Sequence, residues 1–259
     1  SRRTLHVISI VPMDSRSLTT DPSLRDRTLW CMVRLCVCSL WRSKLASNSS
    51  PSSGDEALNN TLTFLFEDGV SMTLNQADFI SSLAKKHRAA PSERQILEEL
   101  CDRRTRCASF SNEDGDIKQT CRDIISESDS FPANDHESFA LDFSCFRGKS
   151  LDSARDIMNM AYSDSHFQKS GQTGRLHHAS NASSLTLFAI LHVRSDLNET
   201  SDETSTKTME YIHRSLLQAF SKAAIGVRAQ SSLLVNSSQD GEACTITMLQ
   251  HLDYQGRLF

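Results

Sequence analysis

Leu185-Thr186-Leu187-Phe188-Ala189-Ile190-Leu191-His192-Val193 is the longest nearly unbroken apolar run in the second half of the chain. A run of this length, rich in strand formers, reads as a strand buried on both faces and so central in a sheet. After a polar, acidic stretch from Ser195 to Thr206, residues 207–225 carry Met209, Ile212, Leu216, Phe220 and Ala223 at helical spacing. That stripe predicts a helix lying on the sheet, with Gly226 placed to end it. Before the run, Phe139, Leu141, Phe143 and Cys145 alternate with Ala140, Asp142 and Ser144, the period of a half-buried strand. Ser150 then caps a predicted helix carrying Leu151, Ala154, Ile157, Met158 and Ala161. Beyond 226, residues 232–235 and 243–249 flank a turn at Asp240-Gly241. From residue 138 onward the order is strand, helix, strand, helix, strand, strand. Helices mixed with hairpins predict an α+β fold, a mixed or antiparallel sheet with amphipathic helices on it; a doubly wound α/β sheet is the alternative.

Moving toward the N-terminus, Thr61 to Phe66 and Val70 to Leu74 flank Glu67-Asp68-Gly69 and predict a hairpin. Asn75 can cap a helix to about Arg88, with Phe79, Ile80 and Leu83 inward. Ser92 and Gln95 form a capping box for a second helix, whose face is Ile96, Leu97, Leu100, Cys101 and Arg104. A third runs from Asp116 to about Glu127. These elements predict a globular domain over 58–259, divisible into a hairpin-helical part (58–130) and a sheet part (138–259). Its apolar finish reads as a turn entering a strand, so the expected domain is truncated at the C-terminus.

Residues 1–57 differ in composition. Residues 1–50 hold 8 Lys/Arg against 3 Asp/Glu, while the whole chain has a net charge of −4. Residues 29–41 are apolar but interrupted by Arg34, too short for a membrane span, which needs ~20 such residues. Residues 47–56 (SNSSPSSGDE) read as a linker. The expectation for 1–57 is a poorly ordered or targeting-like basic lead-in, or a first helix. The acidic remainder argues against general phosphate-backbone binding. The 40 serines among 259 residues favour caps and loops over core.

Four sets of residues could carry chemistry. Phe146-Arg147-Gly148-Lys149-Ser150 ends like a phosphate-binding loop. Such a loop needs a glycine five positions before Gly148, and that position is Phe143. The plainer reading of Gly148, Lys149 and Ser150 is a strand-to-helix turn. Cys101, Cys107, Cys121 and His136, with Cys145, could be set out as zinc ligands, but no close pair exists to seed a site, so small core side chains fit better. His177-His178 lies in a polar stretch, and His213 on the polar flank of the predicted 207–225 helix. Arg103, Arg104 and Arg106 form a basic cluster at a helix end, where offsetting the helix dipole is a sufficient reason for them. It could also meet phosphates or an acidic partner.

No cofactor is implied by these motifs. The expectation is a non-catalytic interaction subunit inside the cell, cytoplasmic or nuclear, whose partner is another protein. Its acidic Ser/Thr stretches at 126–138 and 195–206 suit phosphorylation. Eight cysteines and five sequons (Asn48, Asn59, Asn181, Asn198, Asn236) support the alternative of a luminal or secreted glycosylated domain. A fragment of a nucleotide-dependent enzyme is the third reading.

Overall fold

The computed structural model describes residues 2–18, 26–41, 60–86, 91–107, 116–128, 136–143, 184–193 and 203–229. Strand β1 (Arg2–Val11) leads through a short 3-10 turn (Ser15–Ser17) to helix α1 (Arg27–Cys36), which ends in a π turn (Val37–Trp41). The hairpin β2 (Thr61–Phe66) and β3 (Ser71–Asn75) is followed by α2 (Gln76–Lys86), α3 (Glu93–Cys107) and α4 (Ile117–Ser128). Then come β4 (His136–Asp142), β5 (Ser184–His192), α5 (Glu203–Lys222) and β6 (Gly226–Ala229).

The described strands form one six-stranded sheet in the order β3-β2-β1-β5-β4-β6. Every neighbouring pair is parallel except β2 and β3. The class is α+β, a mixed sheet with helices packed on it. Helices cover both faces, as in a doubly wound sheet, but the antiparallel hairpin at one edge keeps the sheet mixed. Val7 and Val11, Leu187, Ala189 and Leu191 face a front layer of α1, α2 and α3. Ile8 and Ile10, Phe188 and Ile190 face a back layer of α4 and α5.

The local signals act where the sequence puts them. Gly69 takes the left-handed φ of 78° that closes the hairpin. Ser92 N donates to Gln95 Oε1 (2.8 Å) and Gln95 N to Ser92 Oγ (3.3 Å), both halves of a capping box. Phe79, Ile80, Leu83, Ile96, Leu97, Leu100, Cys121, Ile124 and Ile125 are all buried.

Three expectations are corrected, and one alternative is met. Residues 2–11 are not a disordered lead-in: β1 lies between β2 and β5 and is hydrogen-bonded on both sides. Its Thr-Leu-His-Val-Ile-Ser-Ile-Val run, buried except for half-buried Leu5, is a strand hidden inside a basic, serine-rich composition. The apolar stretch after Asp26 meets the first-helix alternative: it is helix α1, capped when Asp26 Oδ1 accepts from Thr28 N (2.7 Å). Its Arg34 lies over the Trp30 ring, 4.8 Å from the centroid. The alternation through β4 does not mark a wet face, because Ala140 and Asp142 are buried beneath the back layer. Gly226 is not the cap of α5. Ala224 holds the positive φ of 57°, Ile225 N donates to Phe220 O (3.0 Å), and Gly226 opens β6. The buried alanine of α5 is Ala219, and Ala223, just beyond the helix, is exposed.

Candidate functional site

The hairpin β2–β3 is held at both ends. At its turn, Asp68 Oδ2 accepts from Ser15 N (3.1 Å) and Ser15 Oγ (2.6 Å), and Glu67 N donates to Met13 O (3.0 Å). These contacts tie the turn to the loop that leaves β1. At the other end, the π turn changes the backbone pairing of the preceding helix, and side chains meet its carbonyls. Asn60 Nδ2 donates to Ser39 O (3.2 Å) and Gln76 Nε2 to Leu40 O (2.9 Å). Asn60 N donates to Gln76 Oε1 (3.2 Å), and Leu5 N to Asn60 Oδ1 (3.2 Å). Two buried amides thus lock β1, the π turn and the start of α2 together.

This framing fixes what β3 presents outward. Phe66 N bonds Val70 O (2.9 Å) and Gln76 N bonds Asn60 O (3.0 Å), so the even-numbered residues of β3 bond toward β2. The N–H and C=O of Ser71 and Thr73, and the N–H of Asn75, therefore point away from β2, along the sheet edge; the Asn75 carbonyl begins the bonding of α2. Among the described residues β3 pairs with β2 alone. Met72 and Leu74 are buried, and Thr73 is exposed. The strand contains no charge, proline or glycine, the devices that usually blunt an edge. We take this edge as the candidate interface.

Acid–base chemistry has one other candidate. His213 Nε2 lies 2.9 Å from Asp142 Oδ2, at the carboxyl end of β4. Asp142 is 2% exposed and His213 4%. A carboxylate can orient a histidine for proton transfer, but the ring must then reach a substrate. Here the pair is sealed beneath α5 and works as a clamp between helix and sheet. Sequence reasoning put His213 on a polar flank. Its spacing four after Met209 and three before Leu216 was the available signal that it faces inward. His192 lies on the same face of β5, two residues beyond Ile190, the register partner of Asp142.

Other predicted residues separate or are used internally. Cys101 is in the front core and Cys121 in the back core, so the sheet divides them and they cannot share a zinc ion. The side chains of Cys107 and His136, and all of Cys145, lie outside the described residues. Among the described residues no three such side chains come together to hold a metal. Burial pushes the Cys121 thiol up to about 12, and raises those of Cys36 and Cys101.

Arg103 is spent on Glu99 (2.9 Å) and the Phe79 ring (5.5 Å from its centroid). Glu99, 1% exposed, also accepts from Ser82 (2.8 Å) and Lys86 (2.6 Å). Burial pushes its carboxyl up, and the hydrogen bonds from Lys86, Ser82 and Arg103 outweigh that and hold it below the usual range. Arg104 is half-buried, and the side chain of Arg106 lies outside the described residues. Gly148, Lys149, Ser150, His177, His178 and all five sequon asparagines also lie outside them. Phe143, where a phosphate loop would need glycine, is buried and donates from its N to Ile190 O (2.9 Å).

No protein-family model, curated protein or solved structure matches the chain significantly. Among the described residues no helix is long and apolar enough to cross a membrane.

Proposed function

We propose that this chain is a non-catalytic interaction module that binds another protein inside the cell, in the cytoplasm or nucleus. The observation that carries the reading is the outer edge of β3. A held, uncharged strand with an outward row of backbone donors and acceptors is a template for pairing with another chain. Because both ends of the hairpin are anchored, pairing would cost little further ordering. Cys36 and Cys121 are buried and form no disulfide, which suits a reducing compartment. Phosphorylation of the acidic Ser/Thr stretches at 126–138 and 195–206 would then regulate docking by adding negative charge. The test is affinity capture followed by reconstitution of the purified pair. Saturable binding at fixed stoichiometry supports the reading, and failure to reconstitute any captured protein at micromolar concentration overturns it.

A second reading rests on a separate observation. The chain passes from β1 into the front layer and from β5 into the back layer, so the two adjacent strands diverge at their carboxyl ends. Open sheets with parallel strands bind ligands at such a divergence. This favours the fragment of a nucleotide-dependent enzyme over the glycosylated domain as the alternative. A saturable rise in melting temperature with ATP or GTP would support it, and a flat response would remove it.

A further inference from the structure

We propose that the edge of β3 accepts an extended segment of a partner protein as an added strand, and that this segment carries basic residues beside its pairing stretch. The proposal rests on the interaction-module reading above and names the partner's chemistry.

Three observations lead to it. First, Ser71 and Thr73 each turn one N–H and one C=O outward and Asn75 turns its N–H outward, as the alternation between Phe66–Val70 and Gln76–Asn60 requires, while the Asn75 carbonyl begins the bonding of α2. The register across β2–β3 runs without a bulge from Thr61↔Asn75 to Leu65↔Ser71, so the outward row is straight. Second, the side chain that points from the middle of this row is Thr73, already paired by its hydroxyl with Thr63 Oγ1 (3.0 Å). Cross-strand threonine and β-branched neighbours favour one more strand of the same kind. Third, the charge carried by the hairpin itself and the start of α2 has one sign. Residues 60–84 contain Glu67, Asp68 and Asp78 and no lysine or arginine. Glu67 and Asp68 precede β3 and Asp78 follows it, so carboxylates bracket the pairing row.

That bracket also decides against a second copy of the chain. Antiparallel pairing of two β3 strands about Thr73 would set Glu67 and Asp68 of one copy beside Asp78 of the other. Parallel pairing would set each beside its own kind. Both arrangements bring carboxylates of the two copies near one another at the ends of the row, and like charges repel. A neutral β-forming segment flanked by lysine or arginine reverses the sign at both ends. The backbone row then supplies affinity, and the flanking charges supply register and choice of partner.

The probes are fluorescent peptides of alternating valine and threonine. One is flanked by lysines, one by glutamates, and a third is lysine-flanked but N-methylated at alternate residues. Anisotropy should show saturable binding of the lysine-flanked peptide, weaker at high salt. Methylation, or exchange of lysine for glutamate, should weaken it roughly tenfold or more. Thr73→Pro removes an outward N–H at an edge position where proline is tolerated, and should cause a similar loss with little change in melting temperature. Should that variant misfold, Thr73→Lys places a guarding charge on the same edge and serves instead. Glu67→Lys should shift preference toward the glutamate-flanked peptide. Equal binding by Thr73→Pro and the parent, equal binding of both charge types, or no saturable binding would each overturn the proposal. So would a dimer of the parent chain that Thr73→Lys dissolves. A reconstituted protein partner that keeps full affinity for both Thr73 variants sinks the edge proposal alone. Edge-dependent peptide binding with no reconstitutable protein partner sinks the module reading instead.

Discussion

At the scale of single residues, Ala224 and Glu99 hold the clearest energetic consequences. Ala224 is the one non-glycine residue with positive φ among the described residues (φ 57°), where its Cβ crowds the backbone. Ala224→Gly should therefore stabilise the protein by about 0.5–1 kcal/mol, after allowing for glycine's greater freedom in the unfolded chain. Thermal melts check this: an unchanged or lowered melting temperature refutes it. Gly226 has open space around its would-be Cβ, so Gly226→Ala should be nearly neutral in the same assay. Glu99 makes a pH prediction. Its folded carboxyl is held below the unfolded value by Lys86, Ser82 and Arg103 against the opposing push of burial. Such a group contributes stability above the unfolded pKa and loses it as pH falls through the folded pKa. Lys86 is raised by its hydrogen bonds to Asp102 and Glu99, so its contribution is present at neutral pH and fades only in strong alkali. Glu99→Gln should cost about 1–3 kcal/mol at pH 7. That cost should shrink toward zero as pH drops below about 4. Urea midpoints of both proteins at pH 7 and pH 3 test it. A cost that is constant with pH would mean packing alone holds the site.

At the scale of elements, the features read correctly from the sequence were those set within a few residues. The hairpin turn at Gly69, the capping box of Ser92 and Gln95, and the apolar stripe of α5 each depend on near neighbours. Met209, Ile212, Leu216 and Phe220 are all buried against the back of the sheet. Leu216→Ala or Phe220→Ala should therefore destabilise by roughly 2–5 kcal/mol. A small change in melting temperature would argue against the core assignment. What escaped were features that exist only after distant strands pair. Asp142 looked like a solvent-facing residue because its strand alternates, and only the arrival of α5 supplies His213 as its partner. The edge site was half legible. Its hairpin was plain, but that β3 is an edge follows from β1 taking the other side of β2. The clamp itself is testable as a double-mutant cycle. Asp142→Ala and His213→Ala should each cost about 1.5–3 kcal/mol, and the double variant should cost less than their sum. Strict additivity would mean that the 2.9 Å contact adds nothing.

At the scale of the whole molecule, β1 decides whether the chain folds at all. Composition averaged over the first fifty residues shows excess Arg and Ser, and hides eight residues, Thr4 to Val11, made for the interior of a sheet. In the fold this strand pairs with β2 from His6 to Val11 and with β5 from Arg2 to Ile10. It is the only described link between the β2–β3 hairpin and the β5, β4 and β6 strands. Its side chains also feed both cores, Val7 and Val11 in front and Ile8 and Ile10 behind. Removing it would expose two long strand edges and open both cores at once. The loss far exceeds the ~5–15 kcal/mol that holds a typical domain. A chain beginning at residue 12 should therefore lack a cooperative thermal transition and aggregate through the bared edges of β2 and β5. The milder Ile8→Ala, which keeps the backbone pairing, should lower stability by about 2–5 kcal/mol yet leave one transition. If the truncated chain melts cooperatively near the parent's temperature, β1 is dispensable and the sheet order itself is wrong. If it fails while Ile8→Ala folds, the basic opening segment is the keystone of the sheet, and the edge of β3 stands only because β1 holds the strand beside it.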